Sequence, residues 1–179
     1  MSARKIVAVL TFAAAGLLAC DNDPLTLEPG TNAVVGHSRG AAQLPFRGSY
    51  TSQTSSAFTP PTTLTLNGTA SGHATQLGQF SATSVDVVNT TTATSTGTFT
   101  FTAANGDQLF TTTTGGQTQF VPPNVSHITL VATIVGGTGR FATATGTFTI
   151  SSIITIDFAT GTSSGSGSVD GNIDLNKSQ

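Results

Sequence analysis

Two aspartates stand inside apolar runs, Val85-Asp86-Val87 and Ile156-Asp157-Phe158. A carboxylate drawn into a protein interior has its pKa raised, which makes it a candidate acid or base. Alternation along a strand, however, puts Asp157 opposite Ile156 and Phe158, on the wetter face. The solvated reading is preferred for both aspartates. His37, His73 and His127 lie far apart, and none has a second His or Cys two to four residues away. Metal ligation needs such clustering, so these are expected to be solvated or hydrogen-bonded histidines. Asp170, Asn172 and Asp174 alternate on one strand face. Calcium needs convergent oxygens and more carboxylates, so a solvent-facing strand is expected there instead.

Two short motifs carry possible chemistry. Gly36-His37-Ser38-Arg39-Gly40 matches G-x-S-x-G, the turn that thrusts a nucleophilic serine upward between a buried strand and a helix. Only residues 32–35 are available as the strand, and residues 40–45 cannot carry a useful helix, so a flexible linker is expected. Gly137-Thr138-Gly139-Arg140-Phe141-Ala142 matches G-x-G-x-x-A, which binds dinucleotides where the glycines open a helix. Here Thr143 to Phe148 reads as a strand, so a glycine turn between two strands is expected. No catalytic residue, cofactor site or metal site emerges, and a non-catalytic module is favoured over an enzyme.

The elements that would hold these residues are strands. From Phe46 onward the hydrophobic period is two, with turn residues between runs. Leu64-Thr65-Leu66 leads into Asn67-Gly68, a tight-turn pair. The run from Phe80 to Val88 suggests a change of phase near Ser84-Val85, as at a bulge. Phe99 and Phe101 alternate with threonines up to the turn at Asn105-Gly106-Asp107, and Gln108 to Thr114 returns. Pro122-Pro123 punctuates a longer loop. Ile128, Leu130, Ala132 and Ile134 share one face. Phe148 and Ile150 point one way, Ile154, Ile156 and Phe158 share a face of the next strand, and Val169, Gly171, Ile173 and Leu175 share a face of the last. This makes roughly eight or nine strands and no helix after residue 19. So many antiparallel strands must close or stack to avoid open edges. The glycine-dotted strands favour the curvature of an all-β, eight-stranded antiparallel barrel, with a β-sandwich as the alternative.

One stretch adds a family resemblance. Gly136-Gly137-Thr138-Gly139-Arg140-Phe141, followed by Ala144-Thr145-Gly146, resembles the G-G-T/S-G-x-F-x-G-A-x-G signature of the allene oxide cyclase and dirigent barrel superfamily. Thr143 stands where the family usually has glycine. Residues 72–80 and 99–110 also resemble secreted bacterial members of that group. The resemblance covers residues 46–174 and implies a barrel. It further implies, as an alternative function, a cyclase-, isomerase- or dirigent-like enzyme acting on a lipid-like or phenolic substrate. The polar groups such enzymes place inside the barrel have no residue-by-residue match here.

The N-terminus concerns location. Arg4 and Lys5 precede the apolar run Ile6–Leu18, and small Ala19 precedes Cys20, the single cysteine. This is the order of a secretory signal, and a run of 13 residues is shorter than the roughly 20 of a spanning helix. Leu17-Leu18-Ala19-Cys20 resembles a bacterial lipobox, which implies cleavage before Cys20 and acylation of its thiol. The expected organisation is a signal helix over 1–19, a lipidated Cys20 with a flexible tether over 20–43, and the barrel over 44–179. Pro24, Pro29, Gly30, Gly36 and Gly40 break every period in the tether, which as a flexible chain has a root-mean-square span of about 25 Å. The chain carries formal charge −2, becoming −4 once Arg4 and Lys5 are removed, and only 8 % of its residues are charged. Its arginines and lysines form no stripe that phosphate backbones would need, so nucleic acid is not an expected partner.

Together these features describe a lipoprotein of the cell envelope, held to a bilayer through acylated Cys20 and facing the periplasm or the exterior. Its barrel would be a non-catalytic module that binds a small apolar ligand or serves as a surface scaffold. No cofactor is expected.

Overall fold

A computed structural model describes residues 43–92 and 94–175. The expectations for Cys20, the signal segment, residues 20–42 and the Ser38 motif lie outside the described residues. Eight strands follow in chain order: β1 (Gln43–Thr59), β2 (Thr63–Ala74), β3 (Gly78–Asn89), β4 (Thr94–Ala103), β5 (Gln108–Val121), β6 (Val125–Gly137), β7 (Ala144–Asp157) and β8 (Thr162–Leu175). Each pairs antiparallel with the next, and β1 pairs antiparallel with β8, so the sheet closes into a barrel. The sandwich alternative is thereby excluded. Closure leaves no edge strand among the eight to recruit other chains.

Up-and-down order gives the barrel two distinct ends. The start of β1, the end of β8 and the β2–β3, β4–β5 and β6–β7 connections lie at one end. The other four connections lie at the opposite end. The first end is plugged. Phe46, Phe80, Phe101 and Phe148 point inward there and are nearly inaccessible to solvent. Phe101 contacts the other three, with ring centroids 6.5 Å from Phe46, 5.5 Å from Phe80 and 5.9 Å from Phe148. Two loop residues fold inward to complete the plug: Leu77 from the β2–β3 turn and Phe141 from the 3-10 turn Gly139–Phe141. Each buried phenyl contributes about 2–3 kcal/mol of hydrophobic free energy. Thr75 ties the β2–β3 turn to β1. Its hydroxyl donates to the Pro45 carbonyl at 2.7 Å and accepts from the Arg47 amide at 2.9 Å.

Three local expectations are corrected. Asn67-Gly68 is not a turn but lies within β2, with Gly68 buried on the inner wall beneath Ser84. The turns that bound β2 are residues 60–62 and 75–77, the latter with Gln76 at φ 67°. No phase change occurs in β3, whose register with β2 and β4 runs unbroken from Phe80 to Asn89. The irregularities sit between β5 and β6, at Phe110/Thr111 and Thr114/Gln117, where Gly115-Gly116 is inserted. Finally, residues 144–157 form one strand, so Ile150 and Ile154 share its inner face and Phe158 falls in the turn beyond it.

Candidate functional site

The inner wall changes character along the barrel axis. Beyond the phenyl plug, toward the other end, the inward positions become Ser52 and Thr54 on β1, Leu66 on β2, Ser84 on β3, and Ile154 and Ile156 on β7. All of these remain partly open to solvent. Solvent reaches these positions, while Asp86, Thr113 and Ser126 in the same half of the wall are buried. Phe58, Phe120 and Phe158 stand at the mouth of this end, from three different strand ends, and are 56 %, 48 % and 66 % exposed. Phe120 and Phe158 meet edge to face at 6.3 Å.

Asp86 lies on the inner wall of β3, 8 % exposed. This overturns the solvated expectation for it. Because β3 keeps its phase from Phe80, the even positions Ser84 and Asp86 face inward while Val85 and Val87 face solvent. Local hydrophobicity misleads here, since register is set by the whole strand and by Phe80 and Ala82 in the core. The carboxylate lies over Gly97 of β4, where any Cβ would collide with Oδ1. It reaches past Gly97 to β5 and accepts a hydrogen bond from the Thr113 hydroxyl at 3.3 Å. Burial raises its pKa to about 6, and the Thr113 hydrogen bond only partly offsets that rise.

Tyr50 is the other polar group on the inner wall with a distinct environment. Its hydroxyl shares a hydrogen bond of 2.5 Å with Ser152, and its ring lies against Gly167. Burial raises its pKa, again with partial offset from Ser152.

The remaining candidates are on the outside. Asp157 is exposed, as expected. It caps its own turn by accepting from the Ala159 amide at 2.9 Å, and hydrogen bonds from Thr160 and Ala159 hold its pKa below the ordinary value. His73 and His127 are exposed on the outer wall. Asp170 binds Arg47 Nε at 2.8 Å, and Asn172 and Asp174 lie on the same strand, so this row is an outer wall with an ion pair. No group of three metal-ligating side chains occurs among the described residues.

The glycine-rich signature is structural. Gly136 (φ 120°) is the last residue but one of β6, and Gly139 (φ 54°) opens the 3-10 turn against the Asp107 carboxylate. The Arg140 amide donates to that carboxylate at 3.3 Å, and the guanidinium lies 4.8 Å above the Phe141 ring. Thr138 accepts from the Gln108 amide at 2.9 Å. Gly137 packs against the Phe141 side chain, and Gly146 (φ 136°) sits within β7 beside Asn172. These residues lock Phe141 into the closed end, far along the strands from the mouth.

One groove of about 950 Å³ joins outer-wall residues of β1, β2, β7 and β8 to Thr54, Ile156 and Phe158 at the mouth, and another of about 970 Å³ lies over β8–β1–β2–β3–β4. Their lining is largely Ser, Thr, Asn and Gln and lacks the apolar enclosure small-molecule sites require. The outward row on β8 is Ser164, Ser166, Ser168, Asp170 and Asn172, whereas Val85, Val87, Val131, Val135 and Ile153 are exposed on the outer faces of β3, β6 and β7.

No family model, curated protein or solved structure matches this chain.

Proposed function

We propose that the protein is a non-catalytic barrel module that takes a small apolar ligand at the open half of its interior. The observation that carries this reading is the division of the inner wall. One end is filled by Phe46, Phe80, Phe101, Phe141 and Phe148, while the other is mixed in polarity, sets partly exposed Thr54, Leu66, Ile154 and Ile156 beside buried Asp86, Thr113 and Ser126, and is rimmed by three exposed phenylalanines. An eight-stranded barrel is just wide enough either to fill itself or to hold one small ligand, and the phenyl cluster accounts for the filling of one end. The Leu17-Leu18-Ala19-Cys20 ending supports the accompanying proposal of a lipoprotein, acylated at Cys20 and displayed at the cell envelope. The resemblance of residues 136–146 to the allene oxide cyclase and dirigent group supports kinship with those barrels.

Native mass spectrometry of gently purified protein tests the ligand, with diphenylhexatriene fluorescence as a second readout. A co-purifying small molecule is expected, as is a fluorescence gain that Ile154→Glu abolishes. The absence of both would sink the proposal.

A second reading, a cyclase-, isomerase- or dirigent-like enzyme on a lipid-like or phenolic substrate, is favoured by one observation. Asp86, raised to about 6, has the proton affinity a general acid or base needs near neutral pH. Among the described residues its hydrogen-bonding neighbour is a threonine hydroxyl, not a second acid, base or nucleophile. Turnover of such a substrate that Asp86→Asn abolishes would establish this reading over the first.

A further inference from the structure

The Asp86 side chain is 8 % exposed and, among the described residues, has no cation beside it. Around it the inner walls of β2, β4 and β5 present Leu66, Ser95, Gly97, Phe99, Thr111 and Thr113, and its own strand contributes Ser84 and Val88. None of these is charged or titratable. The described cationic and imidazole side chains are all on the outside: Arg47 on Asp170, Arg140 on Phe141 and Asp107, and His73 and His127 on the outer wall. An ionised carboxylate held away from water costs free energy unless it is paired. Gly97 keeps the space beside it open to Thr113, so the arrangement holds the charge in place rather than turning it out to solvent.

We infer that Asp86 selects an apolar amine, whose hydrocarbon part lies in the open half of the barrel and whose ammonium pairs with the carboxylate beside the Thr113 hydroxyl. This rests on the apolar-ligand reading above and names its chemical class. The physical preference is ordered. An anionic ligand is repelled by Asp86. A neutral alcohol gains one ordinary hydrogen bond. An ammonium gains a charge-assisted bond about twice as strong and supplies the missing countercharge.

The test compares 1-naphthylmethylamine with 1-naphthalenemethanol, near-isosteres that differ in charge, by titration calorimetry on the full chain at pH 7.5. The amine is expected to bind at least about ten-fold tighter, and Asp86→Asn is expected to bring it down to the alcohol. On the unaltered protein, affinity for the amine should fall as pH drops through about 6, where Asp86 takes up its proton, while affinity for the alcohol stays level. That profile decides the matter even if Asp86→Asn does not fold. Equal binding of both probes, a preference that survives Asp86→Asn, or a level pH profile for the amine overturns the inference and leaves the apolar-ligand reading standing. If neither probe binds, both fall.

Discussion

Asp107 and Gly139 belong to different hairpins, yet the carboxylate of one fills the space a side chain on the other would need. The contact joins the β4–β5 turn to the 3-10 turn that carries Phe141 into the plug. Gly139 also has φ 54°, in the left-handed region that β-branched residues avoid. Gly139→Val must therefore both distort the backbone and displace Asp107. Expected is a loss of about 2–4 kcal/mol, read as a lower thermal midpoint. Unaltered melting would show that this turn does not hold the closed end.

Phe101 is the hub of the phenyl cluster, in contact with Phe46, Phe80, Phe99 and Phe148. Phe101→Ala should cost about 3–5 kcal/mol, because it removes buried area and leaves a cavity its neighbours cannot collapse into. Phe158→Ser, at the exposed rim, should change stability by under about 0.5 kcal/mol. Denaturant midpoints of the two variants, measured side by side, check both values. Equal losses would contradict the division of the barrel into a packed end and an open one.

Asp86 makes stability depend on pH in a direction opposite to that of most carboxylates. Its folded pKa is raised to about 6 from an ordinary 3.8, so between these values the folded state binds the proton more tightly than the unfolded state does. The contribution of Asp86 is then least unfavourable below pH 4, worsens as pH rises from 4 to 6, and levels off above. The full span of this effect is about 3 kcal/mol at most. Asp86→Asn should remove this slope and melt higher than the unaltered protein at pH 8. A variant that keeps the slope would assign it to another group.

The proposed acylation of Cys20 predicts that Cys20→Ala moves the protein from the membrane fraction to the soluble one. Fractionation of cells expressing both forms measures this directly. Unchanged partitioning would defeat the lipoprotein proposal.

Much of the barrel was legible from period two alone. Ile128, Leu130, Ala132 and Ile134 share an inner face as expected, as do Val169 and Ile173, because a strand has no other way to bury half of its side chains. The turn at Asn105-Gly106-Asp107 was legible for the same local reason, since Gly106 takes the positive φ the turn demands. Asn67-Gly68 carries a similar signal and forms no turn. Its pairing on both sides with β1 and β3 outweighs a local preference worth about 1 kcal/mol.

What the sequence determined by itself is the material of the walls: alternating threonine, phenylalanine and small residues that a barrel or a sandwich can bury on one side, the choice between them falling to the pairing of β1 with β8. Alternation already put Asp157 and Asp170 on the wet side, but tertiary structure alone decided the side that Asp86 takes. Asp86 sits between two valines and by composition belongs outside with a reversed phase. The register running on from Phe80 turns it inward over Gly97 instead, and a strand cannot flip one residue without flipping all of them.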